Sequence, residues 1–335
     1  PAGANEQPDL AQVVDTHPAG VVVADRGGRV AYRNAAAAAF AGTHAAVLID
    51  AAVDRHLAAA RQGTCGQEVV ELHGPPKQVV ELVSRPLPGG AAVVFLGDIT
   101  EQRRVDRVRT DFVANISHEL KTPIGALAVL AAALADEHDP AVAARLVNRI
   151  QAEADRATRT IDDLTELSRI ESGAGLTRAP VPLAGVLRAA AERVGELADR
   201  RRIGISTLGE VPDGAVVDGD RAQLESAVGN LVENAVKYSE PGGQVQLRLR
   251  RAAPWVEIMV ADQGVGIPQR DLDRIFERFY RVDRARSRDT GGTGLGLSIV
   301  RHVATNHGGE VTVTSTEGEG STFVLRLPAG PEHAA

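Results

Sequence analysis

The sequence predicts a multidomain chain with a small α+β domain, a long two-helix hairpin and an α/β sandwich, in that order. Three observations support this prediction. Short apolar runs bounded by turn signals fill residues 9–100. Apolar residues then recur every three or four positions through residues 101–175. Strand patterns alternate with helical patterns in residues 180–330. The length of 335 residues is enough for two or three domains.

Composition narrows the class of protein. The formal net charge of −7 argues against a nucleic-acid partner. The single cysteine, Cys65, precludes an intramolecular disulfide and favours a reducing compartment. No apolar run approaches the roughly 20 residues that a membrane-spanning helix needs. We therefore expect a cytoplasmic location. Because the chain starts at Pro1 rather than Met, we also allow for a membrane anchor in a longer parent chain.

The first domain reads as a hairpin, a helix and further strands. Apolar runs at 21–25 and 30–34 flank an Arg-Gly-Gly turn and predict the hairpin. An Ala-rich helical stretch follows at 35–41, then strands near 68–72 and 78–84. The segment GVVVADRGGRVAYRN resembles the opening hairpin of a PAS domain, and the segment GDITEQRR resembles the exit from such a domain into a helix. The alternative is another small sheet domain that serves as a spacer or a dimer contact. His44, His56 and His73 could ligate a haem, but no specific PAS ligand is indicated.

The hairpin is predicted from one continuous apolar seam. Val105, Val108, Phe112, Ile116 and Leu120 step by three or four residues in the first helix. DEHDP at 136–140 breaks the pattern, and a second helix is predicted from about 141 to 171. Two such helices expose a broad apolar face, so we expect a homodimer with a four-helix bundle. A structural coiled coil would account for the seam equally well.

His118 lies off this seam, so its side chain should face solvent. Thr122 follows one helical turn later on the same face, and Pro123 should bend the helix. Most surface histidines beside a glutamate have no function. However, SHELKTP resembles the H box of sensor histidine kinases. The resemblance implies that His118 carries a phosphoryl group, that Glu119 orients its ring, and that Thr122 positions water for dephosphorylating the partner.

The third domain is predicted as one α/β unit after a linker at 179–182. Its predicted elements are helices at 183–201, 221–237 and 298–306, strands at 203–207, 244–250 and 255–262, and a hairpin of 310–315 with 322–327.

Polar and glycine-rich patches in this domain predict a nucleotide site. Asn230, Glu233, Asn234 and Lys237 share one helical face, where amide oxygens suit a magnesium ion and the lysine suits phosphates. DQGVGIP follows a strand and places a carboxylate at its end. Phe276 and Phe279 stand at helical spacing and predict packing rather than chemistry.

Two later segments complete the predicted site. The polar stretch 283–290 fits a lid that orders on nucleotide. GGTGLGLSIV exposes backbone N–H groups before a helix, which favours an anion site. It is neither a Walker loop nor a Rossmann fingerprint, since it lacks their defining residues.

Together these patches resemble the N, G1, F and G2 boxes of the GHKL (Bergerat) ATP-binding fold. The resemblance implies ATP and Mg²⁺ as ligands, with Asn234 on the metal. It assigns to nucleotide binding Asn230, Asn234, Lys237, Tyr238, Asp262, Gly264, Gly266, Ile267, Tyr280, Arg281, Gly292, Thr293, Gly294, Leu295, Gly296 and Leu297.

The combined resemblance is to a sensor histidine kinase of a two-component system, of the phosphate-sensing type found in actinobacteria. It implies autophosphorylation of His118, transfer to an aspartate in the receiver domain of a response regulator, and a phosphatase activity toward that regulator. Two alternatives stay open. A GHKL clamp ATPase would not need SHELKTP, and a non-catalytic binding module would be expected to lack one of the boxes.

Overall fold

The computed structural model of the protein describes residues 10–40, 44–74, 76–172, 176–208, 215–282 and 292–330. The chain divides into two compact units, Pro1–Val113 and Ala114–Ala335. The division falls inside one long helix, α4 (Thr100–Ala135). No helix among the described residues is long and apolar enough to cross a membrane.

The first unit is the predicted α+β domain. A five-stranded antiparallel sheet has the strand order β2-β1-β5-β4-β3. Its strands are β1 (Gly20–Ala24), β2 (Val30–Arg33), β3 (Gly66–Leu72), β4 (Gln78–Pro86) and β5 (Ala92–Asp98). The accompanying helices are α1 (Leu10–Asp15), α2 (Ala35–Ala38) and α3 (His44–Arg61).

Helix α3 is the one large element of this unit that the sequence analysis missed. Its inner face contributes Ile49, Val53 and Leu57 to a core shared with Leu82 and Leu96 of the sheet. These positions do follow a helical period, but alanines on every face of the helix hide the apolar stripe. The helix predicted at 35–41 is shorter than expected, since α2 ends at Ala38.

His56 fastens α3 to the sheet. Its Nδ1 lies 3.0 Å from Ser84 Oγ on β4, and its Nε2 lies 3.0 Å from Glu68 Oε2 on β3. Arg55 also donates to both oxygens of Glu68, at 2.9 and 3.1 Å. Burial raises the pKa of Glu68, but hydrogen bonds from Arg55 and His56 outweigh it and lower that pKa overall. Both ring nitrogens of His56 are therefore used within the fold.

The predicted hairpin is present as α4 and α5 (Pro140–Ser172). Asp139 begins α5 by accepting the backbone N–H of Ala141 at 2.8 Å. Pro123 lies inside α4, which continues through it. Several large apolar side chains of the hairpin are exposed in the single chain, among them Ile124 at 58% and Val129 at 70%. Such a face is typical of helices that pack against further helices.

The remainder of the second unit is an α/β sandwich, as predicted. Its five-stranded sheet has the order β11-β12-β10-β9-β7, in which only the β7–β9 pair is parallel. The strands are β7 (Gly204–Thr207), β9 (Gln244–Ala252), β10 (Trp255–Asp262), β11 (Glu310–Thr316) and β12 (Gly320–Pro328). Three helices pack on it, α6 (Leu183–Arg201), α7 (Arg221–Tyr238) and α8 (Gly296–Asn306).

Residues 179–182 correct the prediction of a linker. They form β6 (Ala179–Pro182), which pairs antiparallel with β8 (Val216–Gly219), a strand that was not predicted. Val181 and Val217 face each other in this ladder and are both buried. The two prolines lack N–H donors and therefore suggested a linker, but prolines are tolerated in an edge strand.

Residues 276–279 carry the two phenylalanines that were predicted to serve packing rather than chemistry. The segment consists of turns, and Phe279 has a left-handed φ of 62°. Phe276 packs edge-on against Phe323, with ring centroids 6.4 Å apart. The three-residue spacing therefore lets both rings pack against the sandwich from a turn, without a helix.

His307 fastens the end of α8 to the start of α7. Its Nδ1 donates to Val303 O at 2.8 Å, and its Nε2 accepts the backbone N–H of Asp220 at 2.9 Å. The ring is buried, and a Cβ at Gly219 would overlap it. Burial lowers the pKa of His307, because the charged form loses its hydration. The contact with Asp220 also requires the neutral ring, since an imidazolium cannot accept a hydrogen bond.

We expect the α/β sandwich to lose stability as the pH falls below about 6.5, the usual His pKa. The folded-state pKa of His307 is lowered, so its contribution is complete above the unfolded pKa and declines as pH falls toward the folded one. Urea unfolding between pH 8 and pH 5, followed by fluorescence of the single tryptophan Trp255 on β10, measures it. His307→Ala should weaken the pH dependence and cost about 2 kcal/mol at pH 8.

The matched control is His73→Ala, which alters an exposed histidine of the other unit. An unchanged pH dependence in His307→Ala would contradict this role of the ring.

Candidate functional site

Helix α7 carries one polar face toward a cavity and one apolar face toward the sheet. Asp220 begins the helix by accepting the N–H of Gln223 at 3.1 Å. Leu224, Val228 and Leu231 are fully buried, which fixes the rotation of the helix about its axis. The opposite face then presents the predicted polar residues Asn230, Glu233, Asn234 and Lys237 to the cavity.

Contacts within α7 orient two of these side chains. Asn230 Nδ2 donates to Ser226 O at 3.1 Å, so its carbonyl oxygen points away from that turn. A Cβ at Gly296 would stand only 2.8 Å from Asn230 Oδ1, which shows how closely this oxygen approaches the start of α8. Lys237 Nζ pairs with Glu233 Oε1 at 2.7 Å, and the lysine side chain is only 14% exposed. An amide oxygen and a cation thus both line the cavity on this face of α7.

Asp262, the last residue of β10, closes the other end of the cavity. Its Oδ1 accepts the backbone N–H groups of Gly264 at 2.9 Å and Ser321 at 3.3 Å. Burial raises the pKa of Asp262, and these two donors act in the opposite direction. Neither contact uses Oδ2, which leaves an acceptor suited to the amino group of a base.

The glycines near Asp262 allow close backbone approach. Gly266 has a φ of 67°, and a Cβ there would overlap Thr316 O in the β11–β12 turn. A Cβ at Gly264 would overlap Tyr238 O at the end of α7. Ile267 N–H donates to Ser315 Oγ at 2.8 Å, which joins the same loop to β11. The loop is therefore held against both α7 and the hairpin.

The glycine-rich segment before α8 packs under the Phe279 turn. Gly294 has a φ of 75°, and a Cβ there would stand 2.9 Å from the Phe279 backbone. Phe279 N–H donates to Gly294 O at 2.9 Å. Tyr280 OH donates to Asp271 Oδ1 at 2.7 Å, and the Arg274 guanidinium lies 4.3 Å from the Tyr280 ring. The Tyr280 hydroxyl is thus engaged by the protein, although the residue lines the cavity.

These elements enclose a cavity of about 780 Å³. Fourteen of the sixteen predicted nucleotide residues line it: Asn230, Asn234, Lys237, Tyr238, Asp262, Gly266, Ile267, Tyr280, Arg281, Gly292, Thr293, Gly294, Gly296 and Leu297. The two exceptions have structural positions, because Gly264 holds Asp262 and Leu295 is fully buried. The predicted lid at 283–290 lies outside the described residues.

His118, Glu119 and Thr122 lie apart from this cavity, on α4. His118 and Thr122 are exposed on one face, as the spacing predicted. Thr122 Oγ1 donates to His118 O at 3.1 Å, one turn back. Within the described part of the chain, the Glu119 carboxylate makes no hydrogen bond to His118.

The cavity also contains residues that the sequence analysis did not select. Arg159, Asp163 and Glu166 come from α5, and Arg193 and Arg201 come from α6. Asp163 Oδ2 accepts a hydrogen bond from Thr293 Oγ1 at 2.6 Å. No local pattern distinguishes these side chains from ordinary charged helix residues. Their function depends on tertiary packing, which places α5 beside the glycine-rich segment.

Three family models match the chain. Residues 219–331 match the "Histidine kinase-, DNA gyrase B-, and HSP90-like ATPase" model. Residues 108–173 match the "His Kinase A (phospho-acceptor) domain" model, and residues 9–72 match a PAS domain model. The first match indicates that the sandwich binds ATP. The fold and cavity thus define a GHKL-type ATPase domain joined to a phospho-acceptor hairpin.

Curated relatives point to the same class. The sensor-like histidine kinase SenX3 of Mycolicibacterium smegmatis is 46% identical over 246 residues, which cover 72% of this chain and 63% of that protein. The sensor histidine kinase WalK of Bacillus subtilis is 34% identical over 256 residues, 75% of this chain and 41% of that protein. The chain therefore spans less than two thirds of the length of these relatives.

A solved structure shares the fold. The histidine kinase ThkA, crystallised in complex with the response regulator protein TrrA, aligns with a TM-score of 0.54. The alignment covers 97% of this chain and 99% of that one at 17% identity, so it concerns the fold alone. With the three domain matches, the chain belongs to the sensor histidine kinases of two-component systems.

Gly266→Ala should destabilise the sandwich much more than Gly318→Ala. Both glycines have a positive φ, so alanine is strained at either position by about 1–2 kcal/mol. A Cβ at Gly266 would also overlap Thr316 O, whereas a Cβ at Gly318 meets nothing within 4 Å. Urea unfolding followed by Trp255 fluorescence compares the two variants. Equal losses would contradict the close approach that closes the base end of the cavity.

Proposed function

We propose that this chain transfers the γ-phosphoryl group of Mg-ATP to His118 and then to an aspartate of a response regulator. The observation that carries the proposal is the pairing of two features in one unit. One is a nucleotide-sized cavity lined by the N-box and glycine-rich residues. The other is a solvent-exposed histidine on the hairpin. A clamp ATPase needs the first feature but not the second.

Different residues bind the base and the phosphates. Asp262 selects adenine through Oδ2, while Gly264 and Ser321 hold its other oxygen. Lys237 lies where a cation can neutralise phosphate charge. Gly292, Thr293, Gly294 and Gly296 line the same cavity at the start of α8, where backbone N–H groups can bind phosphate oxygens.

A magnesium ion fits the phosphate end of the cavity. The amide oxygen of Asn234 would hold it, with Asn230 beside it, because hard cations prefer oxygen ligands. The orientation of Asn230 supports this, since its nitrogen is bound to Ser226 O and its oxygen is turned the other way. When bound, the ion would neutralise charge on the phosphates.

The transfer itself makes one bond and breaks one. The lone pair of a ring nitrogen of neutral His118 attacks the γ-phosphorus, and the bond to the bridging oxygen breaks as ADP leaves. For this step the Glu119 carboxylate, which makes no hydrogen bond to His118 in the structure, would turn toward the ring and accept the N–H of the other ring nitrogen. The resulting phosphoramidate is reactive enough to pass its phosphoryl group to a carboxylate. Positioning and charge neutralisation provide most of the catalysis.

Two partners follow from this proposal. A second copy of the chain covers the exposed apolar face of the hairpin, which includes Ile124 and Val129. The receiver domain of a response regulator docks where it can reach His118. Both partners accord with the phospho-acceptor family matched by residues 108–173.

Labelling with γ-³²P Mg-ATP tests the kinase. The wild type should acquire label that is lost in acid and survives alkali, as expected of phosphohistidine. His118→Gln should remove the acceptor, and Asn234→Ala should reduce labelling at least about 100-fold by losing metal-assisted charge neutralisation. His138→Gln is the matched control, because it alters another exposed histidine of the hairpin. Label that persists in His118→Gln would overturn the proposed acceptor.

We also propose that Thr122 supports dephosphorylation of the regulator. The residue is exposed one turn after His118 on the same helical face, where its hydroxyl can orient a water molecule. Thr122→Ala should keep His118 labelling within about twofold and lower the rate of regulator dephosphorylation about tenfold or more. The measurement is release of phosphate from a phosphorylated receiver domain. Thr110→Ala, an exposed α4 threonine, serves as the control. Undiminished phosphate release in Thr122→Ala would rule this role out.

A further inference from the structure

The C-terminal part of α5 reaches into the phosphate end of the nucleotide cavity. Asp163 Oδ2 accepts the hydroxyl proton of Thr293 at 2.6 Å. Thr293 lies between Gly292 and Gly294, in the segment whose N–H groups precede α8. Glu166, one turn further along α5, lines the same cavity. Two hairpin carboxyl groups therefore stand at the end of the cavity that the triphosphate would use.

The surroundings of Asp163 resemble those that a phosphate oxygen would meet. Burial raises the pKa of Asp163, and the hydrogen bond from Thr293 lowers it. Glu166 and Glu233 raise it further, while the positive charge of Lys237 lowers it. Lys237 and Asp163 line the same cavity. Asp163 would therefore use the same hydroxyl donor, Thr293, and the same cation, Lys237, as the expected nucleotide phosphates.

The contact belongs to a larger docking surface, which we define as the α5 dock. Glu171 Oε1 pairs with Arg278 Nη2 at 2.7 Å and lies 3.4 Å from His302 Nε2. Asn306 Nδ2 donates to Ile170 O at 2.9 Å. Leu167 and Ile170 are also buried here. Apolar burial and several polar contacts hold α5 on the sandwich.

We propose that Asp163 occupies the place of a nucleotide phosphate, so that the α5 dock and the ATP triphosphate exclude each other. The inference rests on the proposed function, since it assumes that this cavity takes ATP. To bind, the triphosphate must replace Asp163 as the hydrogen-bond acceptor of Thr293. It must also displace the negative charges of Asp163 and Glu166. Because coupling between two binding events is reciprocal, docking weakens ATP binding and ATP weakens docking. The dock is therefore an intramolecular inhibitor of the nucleotide site.

Asp163→Asn on the full chain tests the inference. The substitution removes the charge but keeps an oxygen that can accept from Thr293. Asp162→Asn is the matched control, because it removes the same charge from the neighbouring exposed position, outside the cavity. Calorimetric titration with the Mg²⁺ complex of a non-hydrolysable ATP analogue should give a Kd about five- to tenfold lower for Asp163→Asn than for Asp162→Asn. Adenosine, which has no phosphate, should bind all proteins equally and shows that each is folded.

Glu171→Gln distinguishes an effect of docking from an effect of charge repulsion inside the cavity. Glu171 does not line the cavity, so its loss affects the nucleotide only by loosening the dock. We expect a lower Kd for the ATP analogue here as well, by about twofold or more. A gain confined to Asp163→Asn would overturn the exclusion by docking. Equal or weaker analogue binding in Asp163→Asn than in Asp162→Asn would overturn the inference altogether.

The outcomes also separate this inference from the proposed function. If the wild type binds the analogue and labels His118 but Asp163→Asn binds no better than its control, only the inhibitory dock is refuted. If adenosine binds but neither the wild type nor any variant binds the analogue, the kinase proposal fails, and the dock fails with it.

Discussion

The fixed rotation of α7 is the constraint on which the rest of the site depends. The helix packs against both the sheet and α6 and α8, so Leu224, Leu231 and Val232 have no contact with solvent. Each such side chain stabilises the packed state by about 1.5–3 kcal/mol. A rotation that moved Asn230 or Lys237 away from the cavity would expose these apolar groups. The core therefore orients the polar face, and the amide and ammonium groups need few contacts of their own to keep their direction.

The glycine-rich boxes follow from the same constraint, because they bring other backbones up to α7. Gly264 allows the loop after β10 to lie on Tyr238 O, and Gly296 allows α8 to begin beside Asn230 Oδ1. Gly294 lets the Phe279 turn lie directly against the segment that precedes α8. These glycines are required by close packing before any nucleotide is considered. Both ends of the cavity, the one for the base and the one for the phosphates, are therefore positioned relative to α7.

The sequence predicted elements most accurately where a local residue pattern determines both the element and its part in the site. α7 and β10 were predicted to within one residue, because their burial follows a clear period and their ends carry capping or turn residues. β6 was missed because its prolines concealed an edge strand, and α3 because alanine covers its polar face as well as its apolar one. The spacing of Phe276 and Phe279 is as compatible with a turn as with a helix. Asp163 could not be selected at all, since its partner Thr293 is 130 positions away in the chain.

The strength of the α5 dock suits a contact that has to be released. His118 does not line the cavity, so the proposed transfer, if made within one chain, requires the sandwich to leave its position on α5 and approach the histidine. The pair of Glu171 with Arg278 is partly exposed, at 28% and 24%, and such pairs contribute at most about 1 kcal/mol. The hydrogen bonds of Asp163 and Asn306 contribute on the order of 1 kcal/mol each. A triphosphate that gains Thr293 and Lys237 can offset polar contacts of this size, whereas the burial of Leu167 and Ile170 is a separate apolar contribution to the dock. In the proposed mechanism, the hairpin that carries His118 thus also holds the sandwich back until nucleotide is bound.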